Sequence, residues 1–120
     1  MPDLIYLAAP YSNPSREIVQ LRVLRINCAA AWLFKQGHFV FSPISHTHPI
    51  KECSDLGGDW AFWSAYDYAM LDKCIRLMVL TLGGWSNSVG VQAEIAYWRE
   101  KKRKVEYLNP TNYQITKTYE

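Results

Sequence analysis

The segment Ser88-Val89-Gly90-Val91-Gln92-Ala93-Glu94 holds the sharpest chemical pattern in the sequence. Ser88 stands where a helix N-cap is expected, and Gly90 falls in the first turn that follows. Glycine at that position weakens a helix by roughly 1 kcal/mol relative to alanine, a cost that close approach of a ligand would explain. Unpaired backbone amides in a first turn attract phosphate or another anion. Glu94 lies four residues beyond Gly90 and so shares its helix face. A carboxylate there is suited to attack a sugar carbon as nucleophile or to act as a general base. The plain alternative is a surface glutamate, with Ser88 serving only as a cap.

Other residues invite chemistry less specifically. Ser42 and His46 follow a short apolar run and would sit at the carboxyl end of a strand, where ligands bind in parallel sheets. His46-Thr47-His48 lacks a third ligand at recognisable spacing, so the reading is loop histidines and no metal. Lys101-Lys102-Arg103-Lys104 reads as the solvated end of a helix, where cations complement the dipole. With a net charge of +2 and no basic or aromatic partner segment, neither nucleic acid nor a membrane is expected as a partner. Trp60, Phe62, Trp63 and Tyr66 read as core or subunit contact rather than as a wall that stacks on a base. Cys28, Cys53 and Cys74 are scattered and form no CxxC pair, which points to reduced thiols and a cytoplasmic setting. The apolar run after Met1-Pro2-Asp3 is too short for a signal peptide or a span, and reads as a first strand.

The elements that would position these residues alternate along the chain. Residues 4–9 are a continuous apolar run, as in a strand buried on both faces. Residues 10–15 form a loop, and Asn13 or Ser15 would cap the helix over 16–36, which Gly37 ends. That helix is expected to bury Ile18, Leu21, Leu24, Cys28, Ala31 and Trp32, with Arg16, Gln20, Arg22 and Arg25 as polar punctuation. A strand follows over 38–41. Residues 43–58, with their prolines, glycines and histidines, are expected to be a long functional loop. A helix over 60–73, a strand over 77–82, a glycine-led loop over 83–87, a helix from 88 to 102 and a strand over 105–108 complete the order. The last helix is expected to bury Val91, Ile95 and Trp98. This alternation predicts a single α/β domain over 1–120. Its form is three-layered and flavodoxin- or Rossmann-like, with a mostly parallel sheet of four to five strands and helices on both faces. The site walls are then expected in residues 8–15 and 83–88.

With those residues in view, the Ser-x-Gly-Val-x-x-Glu pattern after an apolar strand resembles the nucleophile segment of the nucleoside 2-deoxyribosyltransferase superfamily. That superfamily includes the 2'-deoxynucleoside 5'-phosphate N-hydrolases. Ile5-Tyr6-Leu7-Ala8-Ala9-Pro10 resembles its first strand and loop, and Gly84-Trp85 is similar to a small branch of it. The resemblance implies cleavage or transfer at the N-glycosidic bond of a nucleoside or its 5'-monophosphate. It implies Glu94 as the nucleophile that forms a glycosyl-enzyme ester, no cofactor, and a homo-oligomer that builds its site at a subunit contact. It also implies Tyr6 near the reacting sugar, Ser88 and Gly90 at the sugar's 5' end, and Asp67 or Asp72 as the carboxyl that helps the base leave. Phosphate-binding members carry a Ser and an Arg in the first loop. Here Ala9-Pro10-Tyr11-Ser12 stands there instead, so Ser12, Asn13 and Arg16 become the candidate replacements. Two other readings remain: a nucleotide-binding module without catalysis, and a phosphoribohydrolase of the cytokinin-releasing type. The latter carries a Gly-Gly-x-Gly-Thr-x-x-Glu pattern, to which Gly83-Gly84 is distantly similar.

Overall fold

The computed structural model describes residues 2–118. Five strands, β1 (Leu4–Ala8), β2 (Phe39–Phe41), β3 (Arg76–Leu80), β4 (Val105–Leu108) and β5 (Ile115–Thr118), form one sheet in the order β2-β1-β3-β4-β5. The first four are parallel and β5 closes one edge antiparallel to β4. Four helices connect them: α1 (Arg16–Lys35), α2 (Pro43–Cys53), α3 (Trp60–Asp72) and α4 (Val89–Glu100). The mostly parallel α/β sheet with helices on both faces is thus the observed fold. None of the helices described is long and apolar enough to cross a membrane.

The two central strands explain the layering. Residues 5–8 of β1 and 77–80 of β3 are all buried, as expected of strands covered on both faces. Alternation sends Ile5, Leu7, Met78 and Leu80 into a core under Ile26, Ala29 and Leu33 of α1. It sends Tyr6, Ala8, Leu77 and Val79 to the opposite core, under Leu71 of α3 and Val91, Ile95 and Trp98 of α4. The apolar stripe expected of α4 is therefore the one that packs.

The stripe expected of α1 is not. Val23, Ile26, Ala29, Ala30 and Leu33 are buried, whereas Ile18, Leu21 and Leu24 are 41%, 56% and 57% exposed. Cys28 and Ala31 are exposed too, and Trp32 is half-buried, stacked on Tyr113 at 4.9 Å. This helix is apolar on more than one side, so helical spacing fits two stripes. Packing against β1 and β3 selects between them. Ser15 is the N-cap, its hydroxyl oxygen accepting the Ile18 amide, while Asn13 accepts the Ser15 amide one turn earlier.

A second difference matters more for function. Residues 43–53, expected as loop, form α2. Pro43 begins it, where a missing N–H costs nothing because the first-turn amides have no helical partner. Pro49 removes one further bond inside, and the buried Thr47 hydroxyl donates to the Pro43 carbonyl at 2.9 Å. The irregular connection is thereby reduced to residues 54–59. Smaller differences lie at element ends: β2 starts at Phe39, β3 stops at Leu80, and α4 stops at Glu100. Strand β5, beyond the last expected element, follows a turn in which the Asn109 side chain accepts the amides of Thr111 and Asn112.

Candidate functional site

The sheet order reverses between β1 and β3. The chain leaves β1 toward α1 on one face and leaves β3 toward α4 on the other, so the two loops diverge and leave a crevice. A cavity of about 790 Å³ opens there, within the roughly 300–1,000 Å³ usual for small-molecule sites. One wall is the loop after β1, residues 8–12. Opposite lie Gly84, Asn87 and the start of α4 with Glu94. Pro43, Ile44, Thr47 and Lys51 of α2, and Trp60, Trp63 and Asp67 of α3, complete it.

Glu94 is the chemically distinctive group. It is only 5% exposed, and Tyr6 of β1, fully buried, donates its phenolic hydrogen to Oε2. Burial pushes the carboxyl up to about 8, with Asp67's charge adding to the rise and the Tyr6 hydrogen bond working against it. Burial, then the charge of Glu94, pushes the Tyr6 phenol far up, so it stays protonated as a donor. The other buried glutamate makes a contrast. Glu106 of β4 holds Arg76 of β3 through two bonds of 2.7 Å at the far end of the strands. A bidentate guanidinium pair of that kind is structural. Glu94 instead has a neutral phenol for a partner and faces a cavity.

Asp67 supplies a second perturbed carboxyl. Burial pushes it up to about 6, against the opposing pull of Lys51. Lys51 is itself lowered by burial, with Asp67 acting the other way. Its ammonium lies over the Tyr11 ring at 4.2 Å and the Trp63 ring at 4.7 Å. The Tyr11 hydroxyl in turn pairs with His48 Nδ1 at 2.8 Å, and His48 Nε2 lies 3.4 Å from Glu52. Burial thus disfavours the charged form of both Asp67 and Lys51, and each offsets part of that effect on the other.

The start of α4 is built as expected in one respect and differently in another. The Ser88 side chain accepts the Val91 amide at 3.3 Å and so caps the helix. Among the described residues, the amides of Val89 and Gly90 make no hydrogen bond. Gly90, however, is explained by a protein neighbour: a Cβ there would lie 3.3 Å from the Trp60 ring. The glycine admits the indole, which then forms part of the cavity wall.

Of the residues expected at the site, Glu94, Asp67, Ala9, Pro10, Tyr11, Ser12, Ser88 and Gly90 line the cavity. Tyr6 lies behind Glu94 and reaches the site through it. Five candidates lie elsewhere, one of them Asn13, whose side chain accepts the Ser15 amide. Asp72 is exposed at the end of α3, bonded to Tyr97 at 2.7 Å and Lys101 at 2.6 Å. Arg16 points outward toward Glu52 at 3.6 Å, with its side chain 79% exposed. The Ser42 hydroxyl donates to Ser45, and His46 is exposed beside Phe41. Both were placed by their position after β2, but α2 begins at once and carries them away from the cavity.

Sequence reasoning missed Lys51, Thr47, Trp60, Trp63 and Arg22. Pro43, Thr47 and Lys51 are spaced by four, so a helix read over that segment would have put them on one face. Trp60 and Trp63, expected as core or subunit contact, are half-buried and form cavity wall. Arg22, read as polar punctuation on α1, donates to the carbonyls of Tyr11 at 3.4 Å, Ser12 at 2.9 Å and Gly83 at 3.0 Å. No local signal marks it, since its partners lie 10, 11 and 61 residues away.

A search of curated proteins finds no match to the chain. The sequence profile of the family described as "Domain of unknown function (DUF1937)" matches residues 3–109, which spans every site residue named above. The chain belongs to that family.

Proposed function

We propose that the protein cleaves or transfers at the N-glycosidic bond of a nucleoside or its 5'-monophosphate. One observation carries this reading: the Glu94 carboxyl is buried against Tyr6 in a cavity that also presents the raised carboxyl of Asp67. In the ionised form, a Glu94 oxygen attacks the anomeric carbon. The C–N bond breaks and its electron pair leaves with the base, which takes a proton from Asp67. The resulting glycosyl ester is opened by water, or by an acceptor base in transfer, either of which gives a proton back to Asp67 as it bonds to the sugar carbon; the C–O bond to Glu94 breaks and its electron pair returns to the carboxylate. Carboxylate nucleophiles suit a centre with oxocarbenium character. The aromatic wall of Tyr11, Trp60 and Trp63 suits a planar base. The resemblance of residues 5–10 and 88–94 to the deoxyribosyltransferase segments supports the same assignment.

Chromatography for free base, with nucleosides and 5'-monophosphates offered with and without an acceptor base, tests the proposal. Base release is expected from the wild type and its loss from Glu94→Gln, with the circular dichroism unchanged. Equal release by the variant would sink the reading.

A second reading has its own support. Burial favours the protonated form of Glu94 at neutral pH, which suits a hydrogen-bond donor in a nucleotide-binding module. Tight binding with no base released across the whole panel would favour it. The proposal also includes self-association, supported by the exposed Ile18, Leu21 and Leu24 of α1 and Phe62 of α3 and read by sedimentation. It includes a cytoplasmic setting, supported by three free thiols.

A further inference from the structure

Lys51 enters the cavity from the last turn of α2, and its position is set by three other segments. Its ammonium rests on the Tyr11 ring after β1 and on the Trp63 ring of α3, at 4.2 and 4.7 Å. Both rings are themselves held. The Tyr11 hydroxyl pairs with His48, which in turn lies 3.4 Å from Glu52, and the Trp63 indole N–H donates to the Gly57 carbonyl at 3.1 Å. Ring faces attract a cation without neutralising it.

Trp63 and Asp67 are four residues apart on α3 and so share a helix face. An ammonium resting on Trp63 is therefore carried close to Asp67 in the same cavity. Among the described residues the two form no direct ion pair. That spacing matters for an acid. A lysine bonded to Asp67 would hold it ionised and leave it no proton to give, whereas one held off on rings lets the carboxyl stay protonatable. The other titratable groups that act on Asp67 are Glu94 of α4, Tyr6 of β1 and Tyr66 of its own helix, none of which carries positive charge. Two further charged residues line the cavity and are engaged elsewhere: Arg22 on three backbone carbonyls, and Asp59 on the Phe62 amide as the cap of α3.

We propose that Lys51, seated on Tyr11 and Trp63, is a positioning residue that acts through Asp67: its ammonium stabilises the carboxylate formed when Asp67 gives up its proton. The role rests on the N-glycosidic reading for where that proton goes, the departing base. Lys51 keeps its own protons throughout. When water or an acceptor base opens the ester, the proton returns to Asp67 while the rings still hold the ammonium in place. Because the seat is neutral, the full charge of Lys51 remains available to Asp67.

The test reads both groups by NMR against pH, with carbon-13 in the Asp67 carboxyl and at the Lys51 ε-carbon. It uses the wild type, Lys51→Met, Lys51→Arg and Asp67→Asn. Lys51→Met keeps a long stem that packs on aromatic rings but carries no charge, and Lys51→Arg keeps both the charge and the seat. The Asp67 midpoint is expected to rise by about one pH unit in Lys51→Met, as loss of one nearby opposite charge gives, and to stay at its wild-type place in Lys51→Arg. Coupling is reciprocal, so the Lys51 midpoint is expected to fall by a similar amount in Asp67→Asn. That arm decides the question where Lys51→Met does not fold. In base release, the rising limb of kcat/KM against pH is expected to move up with the Asp67 midpoint in Lys51→Met and to hold in Lys51→Arg. A lysine that served only packing would leave both midpoints where they are. An unmoved Asp67 midpoint in Lys51→Met, an unmoved Lys51 midpoint in Asp67→Asn, or an equal rise in Lys51→Arg and Lys51→Met each overturns the inference. So does a rising limb that stays put while the Asp67 midpoint moves. If both midpoints move as expected and the wild type releases no base from any nucleoside or monophosphate, the N-glycosidic reading fails and the hold of Lys51 on Asp67 stands.

Discussion

Tyr6 and Glu94, 88 residues apart in sequence, meet in the interior with the phenol donating to the carboxylate. Tyr6 comes from the buried face of β1, and Glu94 from the second turn of α4, so this bond joins the two elements on either side of the switch point. It also bears on the ionisation of Glu94, because it offsets part of the upward push of burial.

Replacing Tyr6 with phenylalanine removes that opposition. The Glu94 carboxyl is then expected to rise further, leaving less of the ionised form at neutral pH. Base release is expected to fall about 10- to 100-fold, with partial recovery as pH rises. The buried carboxyl left without a donor costs about 1–3 kcal/mol of stability. Initial rates from pH 6 to pH 9 and thermal melts check both parts. Unchanged rates at every pH would contradict the coupling.

Glu94 also makes stability depend on pH. The folded protein keeps this proton up to about 8, whereas the unfolded chain releases it near 4.5. Between those values the folded state binds more protons, so this group lowers stability as pH rises through the window. Glu94→Gln removes the dependence while its amide oxygen still accepts from Tyr6. The Tm of Glu94→Gln relative to wild type is expected to climb from about pH 5 to pH 8 and then level off. A constant difference across that range would show that Glu94 ionises as freely as an exposed carboxyl.

The pair of carboxyls shapes the rate. Asp67 is raised to about 6 and Glu94 to about 8. Because the two interact, the two proton releases belong to the pair. The proposed reaction needs one proton, on Asp67, and an ionised Glu94. kcat/KM is therefore expected to rise through the lower value and fall through the higher. In Asp67→Asn the falling limb is expected to vanish, because only Glu94 must then ionise. The remaining rise is expected below 8, since the charge that pushed Glu94 up is gone. The rate loss is expected to be about 10²- to 10⁴-fold, the usual worth of a general acid. Asp72→Asn is expected to leave the profile intact, as Asp72 is tied to Tyr97 and Lys101 outside the cavity.

Gly84→Ala tests the turn. Both the positive φ and the 2.8 Å approach to Arg22 oppose a side chain there. Destabilisation of about 1–3 kcal/mol is expected from the strained backbone, together with weaker ligand binding as the guanidinium moves. Wild-type melting and binding would show that the turn relaxes without cost.

Much of the fold was legible because its signals are local. The apolar runs of β1 and β3 and the stripe of Val91, Ile95 and Trp98 fix the central strands and the last helix without reference to anything distant. The Ser88 cap and the same-face placement of Glu94 were legible for the same reason. Helix α2 was not, because Pro43 and Pro49 are the residues that mark loops elsewhere. With α2 unread, Thr47 and Lys51 had no face to share. The buried stripe of α1 was decided by the strands it covers, which spacing alone does not weigh. Arg22 gains its role only when the turn after β3 is brought beside the loop after β1. The same holds for the burial of Glu94 beneath Tyr6, which separates it from a surface glutamate.

The central claim is that Glu94 forms a bond to the sugar. Its most direct test is mass spectrometry of the protein acid-quenched within milliseconds of mixing with a substrate from which it releases base. A mass increase equal to the sugar moiety, mapped by peptide digestion to Glu94 and absent from Glu94→Gln, is the expected result. Base release at the wild-type rate by Glu94→Gln, with no sugar adduct on either protein, would contradict the account.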